Sequence, residues 1–79
     1  MLIVKPAGPC LDIAARLRER TDIPMAGYVV SGEYVMLNAA ISSGSLDRER
    51  ALREYHLSVR RAGCDLVITY FALQLARML

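Results

Sequence analysis

The sequence predicts an α/β chain in which three short parallel strands alternate with helices. Three observations carry that reading. Short apolar runs occur at residues 1–5, 25–30 and 66–70, and runs of that kind suit strands buried on both faces. Between and after them, residues 11–20, 33–41, 46–62 and 72–79 read as helices, most with apolar positions three or four apart. Proline, glycine, serine and aspartate mark the junctions, at Pro6 and Pro9, Asp22 and Pro24, Ser31-Gly32, Ser42-Ser43-Gly44-Ser45 and Gly63. Strands separated by helical stretches imply parallel pairing through right-handed crossovers.

Composition narrows the class. The 79 residues make one small domain at most. With 54% hydrophobic residues, the chain has more apolar side chains than one small core can hide. It is therefore expected either to form a homo-oligomer or to be part of a larger fold. The net charge is only +2, with arginines interleaved among acids, so no nucleic-acid partner is expected. Lys5, Pro6 and Pro9 interrupt the first apolar run before a signal-peptide core of about 7–15 residues could form, and no window approaches the ~18 apolar residues of a membrane span. A cytoplasmic protein without a membrane partner is the expectation. Cys10 and Cys64 are far apart and in no C-x-x-C pairing, which reads as two reduced thiols. His56 has no second histidine at ligand spacing, so a structural or surface role is preferred to metal binding.

In order, the first strand runs from Met1 and stops at Lys5, because Pro6 holds Lys5 extended and offers no backbone donor. A helix follows over residues 11–20, with Ile13 and Leu17 as its apolar stripe, Asp12 in its first turn and arginines toward its end, the charge order that the helix dipole favours. The second strand, residues 25–30, ends at Ser31-Gly32, and Ser31 is expected to cap a helix starting near Glu33. After the serine-rich turn, the helix over 46–62 carries Leu52, Tyr55 and Val59 on one side, and Gly63 suits the left-handed position that closes it. The third strand, residues 66–70, leads to a last helix over 72–79 with Leu75, Ala76 and Leu79 on one face.

Lys5, Ser31 and Tyr70 then end the three strands in turn. Strand ends of a parallel sheet converge on one edge, so an amine, a hydroxyl and a phenol can line one pocket there. Each also has a plainer reading. Lys5, the only lysine, could snorkel to water, and Ser31 could be an ordinary helix cap.

The segments MLIVKPAGPCLDI, YVVSGEY and RRAGCDLVITYFA resemble the C-terminal part of porphobilinogen synthase, also called δ-aminolevulinic acid dehydratase. The resemblance spans essentially the whole chain, and the V-K-P and V-S-G-E motifs together are specific. It implies three βα units equivalent to the last third of a TIM (β/α)8 barrel, a fold of roughly 250 residues. It also implies a hydro-lyase that condenses two 5-aminolevulinate molecules in heme biosynthesis. By that resemblance Lys5 matches the Schiff-base lysine, Ser31 and Tyr70 match hydroxyls that hold one substrate's carboxylate, and Tyr28 lines the same pocket. A lysine with the ordinary pKa of ~10.4 is almost wholly protonated at neutral pH, so imine chemistry needs burial or a neighbouring cation. The family's second lysine, on an earlier strand, has no counterpart here. Cys10 stands where the family usually has tyrosine, Val29 where a polar residue is common, and neither cysteine matches the family's zinc ligands. No metal or other cofactor is therefore expected within these residues, and zinc or magnesium is left to a complete enzyme.

The sequence reading is thus a C-terminal fragment or truncated relative of such a dehydratase, with low activity expected of the 79 residues alone. Two alternatives stay open: a non-catalytic remnant that serves assembly or ligand binding, and a stand-alone lysine-imine enzyme acting on another small keto compound.

Overall fold

The computed structural model describes residues 1–78. Three strands, β1 (Leu2–Val4), β2 (Met25–Val29) and β3 (Leu66–Thr69), form one parallel sheet in the order β1-β2-β3. The register sets Val4 beside Gly27 and Tyr28 beside Ile68. At the opposite end Asp65 closes the sheet, its carboxylate accepting the Met25 N–H at 2.9 Å while its own N–H donates to the Met25 carbonyl at 2.7 Å.

Four helices accompany the strands. A single 3-10 turn, Gly8–Cys10, leads into α1 (Leu11–Arg20), and α2 (Ser31–Ser42), α3 (Arg48–Arg61) and α4 (Ala72–Arg77) follow. The α3 helix begins at Arg48, two residues later than the periodicity suggested, because the Asp47 carboxylate accepts the Arg50 N–H at 3.0 Å and caps it. Its other end matches the expectation. Gly63 takes φ +119°, a conformation that side chains disfavour, and its N–H returns to the Arg60 carbonyl.

The α1 helix packs in a different rotation from the one its pattern suggested. Ala14 is buried, Leu11 and Leu17 flank it against the core, and Ile13 is 47% exposed. The small Ala14 lets the helix approach the sheet closely, while Ile13 lies on the outer side. For α4, Leu75 packs inward and Ala76 is exposed; Leu79 lies outside the described residues.

Side-chain alternation divides the sheet into two unlike faces. Val4, Met25 and Val29 point toward the helices and meet Ala7, Ala14, Val59 and Cys64 in the main core. A second cluster of Leu37, Leu52 and Phe71 joins α2, α3 and the start of α4. The other face bears Ile3, Leu66 and Ile68, which are 54%, 40% and 41% exposed. No helix among the described residues is long and apolar enough to cross a membrane.

Candidate active site

The C-terminal edge of the sheet gathers the residues singled out above. Lys5 follows β1 immediately after the Val4–Gly27 pair, which puts its backbone abreast of Tyr28, and it is exposed. Tyr28, near the end of β2, and Tyr70, one residue past β3, bring their hydroxyl oxygens to 3.5 Å. Together with Ile68 and Thr69 they line a cleft of about 130 Å³. The Tyr70 hydrogen bond, together with repulsion from that neighbouring phenol, pushes the Tyr28 phenol above its ordinary value.

Ser31 is the first residue of α2 and not its cap. Val30 occupies the cap position with extended backbone, and Ser31 is exposed. The Glu33 carboxylate supplies the end contact instead, accepting the Val30 N–H at 2.7 Å. Helix formation thus makes no use of the Ser31 hydroxyl as a cap, so the hydroxyl is available to a ligand. Among the described residues no hydrogen bond joins Lys5 or Ser31 to each other or to the tyrosine pair. The structure brings Tyr28 and Tyr70 into contact and sets Lys5 and Ser31 at the same edge.

Tyr70 is 59% exposed and packs against Tyr34. Tyr34 packs its ring 5.6 Å from that of Tyr70 and 4.6 Å from that of Phe71. Beneath them the Thr69 hydroxyl oxygen accepts the Phe71 N–H at 3.2 Å and lies 2.9 Å from His56 Nε2. His56 Nδ1 is 2.6 Å from the Leu52 carbonyl, an acceptor only. Nδ1 therefore carries the proton, and in the neutral ring Nε2 accepts from Thr69. Burial pushes the His56 pKa down and keeps that neutral form. His56 is a structural residue that ties α3 to the segment carrying Tyr70.

Glu33 is the residue whose importance sequence reasoning missed. It is only 2% exposed, and its carboxylate accepts from three places: the Gly8 N–H at 2.8 Å, the Tyr55 hydroxyl at 2.5 Å and the Val30 N–H at 2.7 Å. A buried charge is tolerated when it is hydrogen-bonded in this way. Burial first, and then the bond to Glu33, push the Tyr55 phenol far above its usual range. The available signal was an acid in the first turn of a helix that otherwise reads as apolar. Its partners, 25 and 22 residues away in the chain, were not visible.

Both cysteines are free, and burial pushes the Cys64 thiol up. Among the described residues no group of three or more His, Cys, Asp or Glu side chains gathers in a way that could hold a metal ion. A larger hollow of about 770 Å³ lies between α2, α3 and α4 around Asn38, Arg48 and Gln74, and none of Lys5, Tyr28, Ser31 or Tyr70 lines it.

Comparison with known proteins bears on the family and the fold. The family model described as delta-aminolevulinic acid dehydratase matches residues 1–78. The chain is 51% identical over 79 residues to the chloroplastic delta-aminolevulinic acid dehydratase of Physcomitrium patens, covering all of this chain and 18% of that protein. It is 52% identical over 75 residues to the Escherichia coli enzyme, covering 95% of this chain and 23% of that one. Among solved structures, the Toxoplasma gondii ME49 enzyme in complex with the reaction product porphobilinogen superposes with a TM-score of 0.97 at 46% identity, over all of this chain and 22% of that chain. The chain thus spans about a fifth of the length of the relatives it matches.

Proposed function

This chain belongs to the delta-aminolevulinic acid dehydratase family, and from that premise we propose that it supplies the Schiff-base half of the active site of such an enzyme. In this reading the neutral Lys5 amine adds to the keto carbon of one 5-aminolevulinate, water leaves, and an imine links substrate to enzyme. Ser31 and Tyr70 donate hydrogen bonds to that molecule's carboxylate, bonds strengthened by its charge, and Tyr28 lines the same pocket. Condensation with a second 5-aminolevulinate then yields porphobilinogen. The observation that supports this most directly is the approach of the Tyr28 and Tyr70 hydroxyls at the sheet edge, abreast of Lys5. The exposure of Lys5 agrees with an amine whose shielding wall, and any zinc or magnesium, come from residues outside these. Cytoplasmic residence, which suits two free thiols, is part of the same reading.

The test is covalent trapping. The protein is incubated with 5-aminolevulinate, reduced with borohydride, and the mass increment is located by peptide mapping. The expected adduct is on Lys5 and disappears in Lys5→Met, while Ser31→Ala and Tyr70→Phe lower its yield by about an order of magnitude or more, the scale of one charge-assisted hydrogen bond. An adduct confined to the N-terminal amine, or none at all, overturns the catalytic reading and favours an assembly or ligand-binding module.

The sheet bears on the partner. β1 and β3 each have one neighbour, and the face carrying Ile3, Leu66 and Ile68 is uncovered. Open edges and apolar faces of this kind drive association. The isolated chain is expected to scatter light as an oligomer at micromolar concentration, with the remaining wall of a barrel as the alternative cover. A stable, folded monomer would show that this face needs no partner.

A further inference from the structure

We propose that Glu33 is a positioning residue for the lysine chemistry, clamping the loop behind Lys5 and the turn in front of Ser31 to one carboxylate. The inference rests on the roles given to Lys5 and Ser31 above. Gly8 lies three residues beyond Lys5, and Val30 immediately precedes Ser31. Their N–H groups meet different oxygens of the same buried side chain, Oε1 at 2.8 Å and Oε2 at 2.7 Å. Capping α2 requires only the Val30 bond. The Gly8 bond instead reaches 25 residues back, to the segment that carries the amine.

The packing around the joint supports the same role. A Cβ at Gly8 would lie 2.7 Å from Glu33 Oε1 and would overlap the Tyr55 hydroxyl, so the loop sits directly on the carboxylate, with no room for a side chain between them. Tyr55, on α3, donates to Oε1, and its hydroxyl lies against Gly8 without bonding to either loop's N–H. Only a carboxylate offers acceptors at both ends. A glutamine in its place would turn an N–H₂ group toward one of the two backbone donors and release either the Lys5 loop or the Ser31 turn. When an amine and a carboxylate-holding hydroxyl sit on separate segments, their spacing decides whether a keto acid is bound with its carbonyl at the amine.

The experiment uses the protein expressed from its own gene and compares two ketones in borohydride trapping. One is 4-oxopentanoate, which carries the carbonyl and carboxylate of 5-aminolevulinate without its amine. The other is pentan-2-one, which lacks the carboxylate. The native protein is expected to trap the keto acid faster by about ten-fold or more, a preference that comes from positioning. Glu33→Gln should reduce that preference to near parity while leaving the pentan-2-one rate roughly unchanged, and should speed amide exchange at Gly8 or Val30 by about ten-fold. Tyr55→Phe, which leaves both backbone bonds in place, should keep the preference. Gly8→Ala lifts the loop off an intact carboxylate and should lose the preference as Glu33→Gln does; it decides the matter if Glu33→Gln does not fold. A preference retained in the folded variants, or both ketones slowed equally by Glu33→Gln and Tyr55→Phe, overturns the positioning role while leaving Lys5 as the imine residue. No Lys5 adduct in the native protein overturns the Lys5 reading and this inference together.

Discussion

Replacing Phe71 with alanine is expected to lower the stability of the fold by about 3–5 kcal/mol, the usual loss when a buried aromatic is truncated. Phe71 has no exposed surface, and its cluster partners Leu37 and Leu52 come from two different helices. Tyr34 packs on its ring at 4.6 Å, and His56 meets it edge-on, its ring at 5.9 Å and 85°. Those neighbours sit on α2 and α3, which cannot both collapse into the space a phenyl group leaves. Domains are stable by only about 5–15 kcal/mol, and small ones lie at the low end, so this single change removes much of the total. It also withdraws the support beside Tyr70. Urea denaturation of the native protein and the variant measures the loss. A change below about 1 kcal/mol would show that the second cluster adds little to the fold.

The second large effect is expected at Gly27, from overfilling. Gly27→Ala should destabilise by about 1–3 kcal/mol, as extra carbon in a packed core does. Gly27 sits in β2 between Val4 and Val67, on the face that meets α3. An added Cβ would overlap a methyl of Val59 and lie 3.1 Å from the Cys64 sulfur. Val59 itself is fully buried, so it cannot swing outward. The glycine therefore lets α3 approach the middle strand. Val59→Ala alone should also destabilise, by leaving a cavity, whereas the pair Gly27→Ala with Val59→Ala should be less destabilised than the two single losses combined, because the new methyl occupies the vacated space. Thermal melts of the three variants provide the comparison, and simple additivity would mean that the two positions do not compete for room.

Local rules carried the sequence reading a long way. Apolar runs located three strands, and their alternation with helices predicted the parallel pairing that the sheet shows. Turn chemistry located the turn that holds Gly44 and the left-handed position of Gly63, which takes φ +119°. The V-K-P and V-S-G-E motifs pointed to the family whose model matches residues 1–78. These features depend on a residue and its near neighbours, through the two-residue period of a strand, the steric limits of a turn, or a short motif.

What only the tertiary structure decided are the pairings between segments. An i, i+4 pattern on α1 could not tell that the face centred on Ala14 would pack and that Ile13 would point away, because a short helix is oriented by the space its neighbours leave. Serine at the start of α2 looked like a cap. The structure uses Glu33 instead, because that carboxylate is anchored by Gly8 and Tyr55, 25 and 22 residues distant. His56 is buried for a similar reason, its acceptor and donor being the Leu52 carbonyl and the Thr69 hydroxyl. The sequence by itself determined the elements, their order and the edge at which Lys5, Tyr28, Ser31 and Tyr70 gather. The folded chain determined which polar groups meet there, since a buried hydrogen bond depends on distance in space, and separation along the chain does not encode that distance.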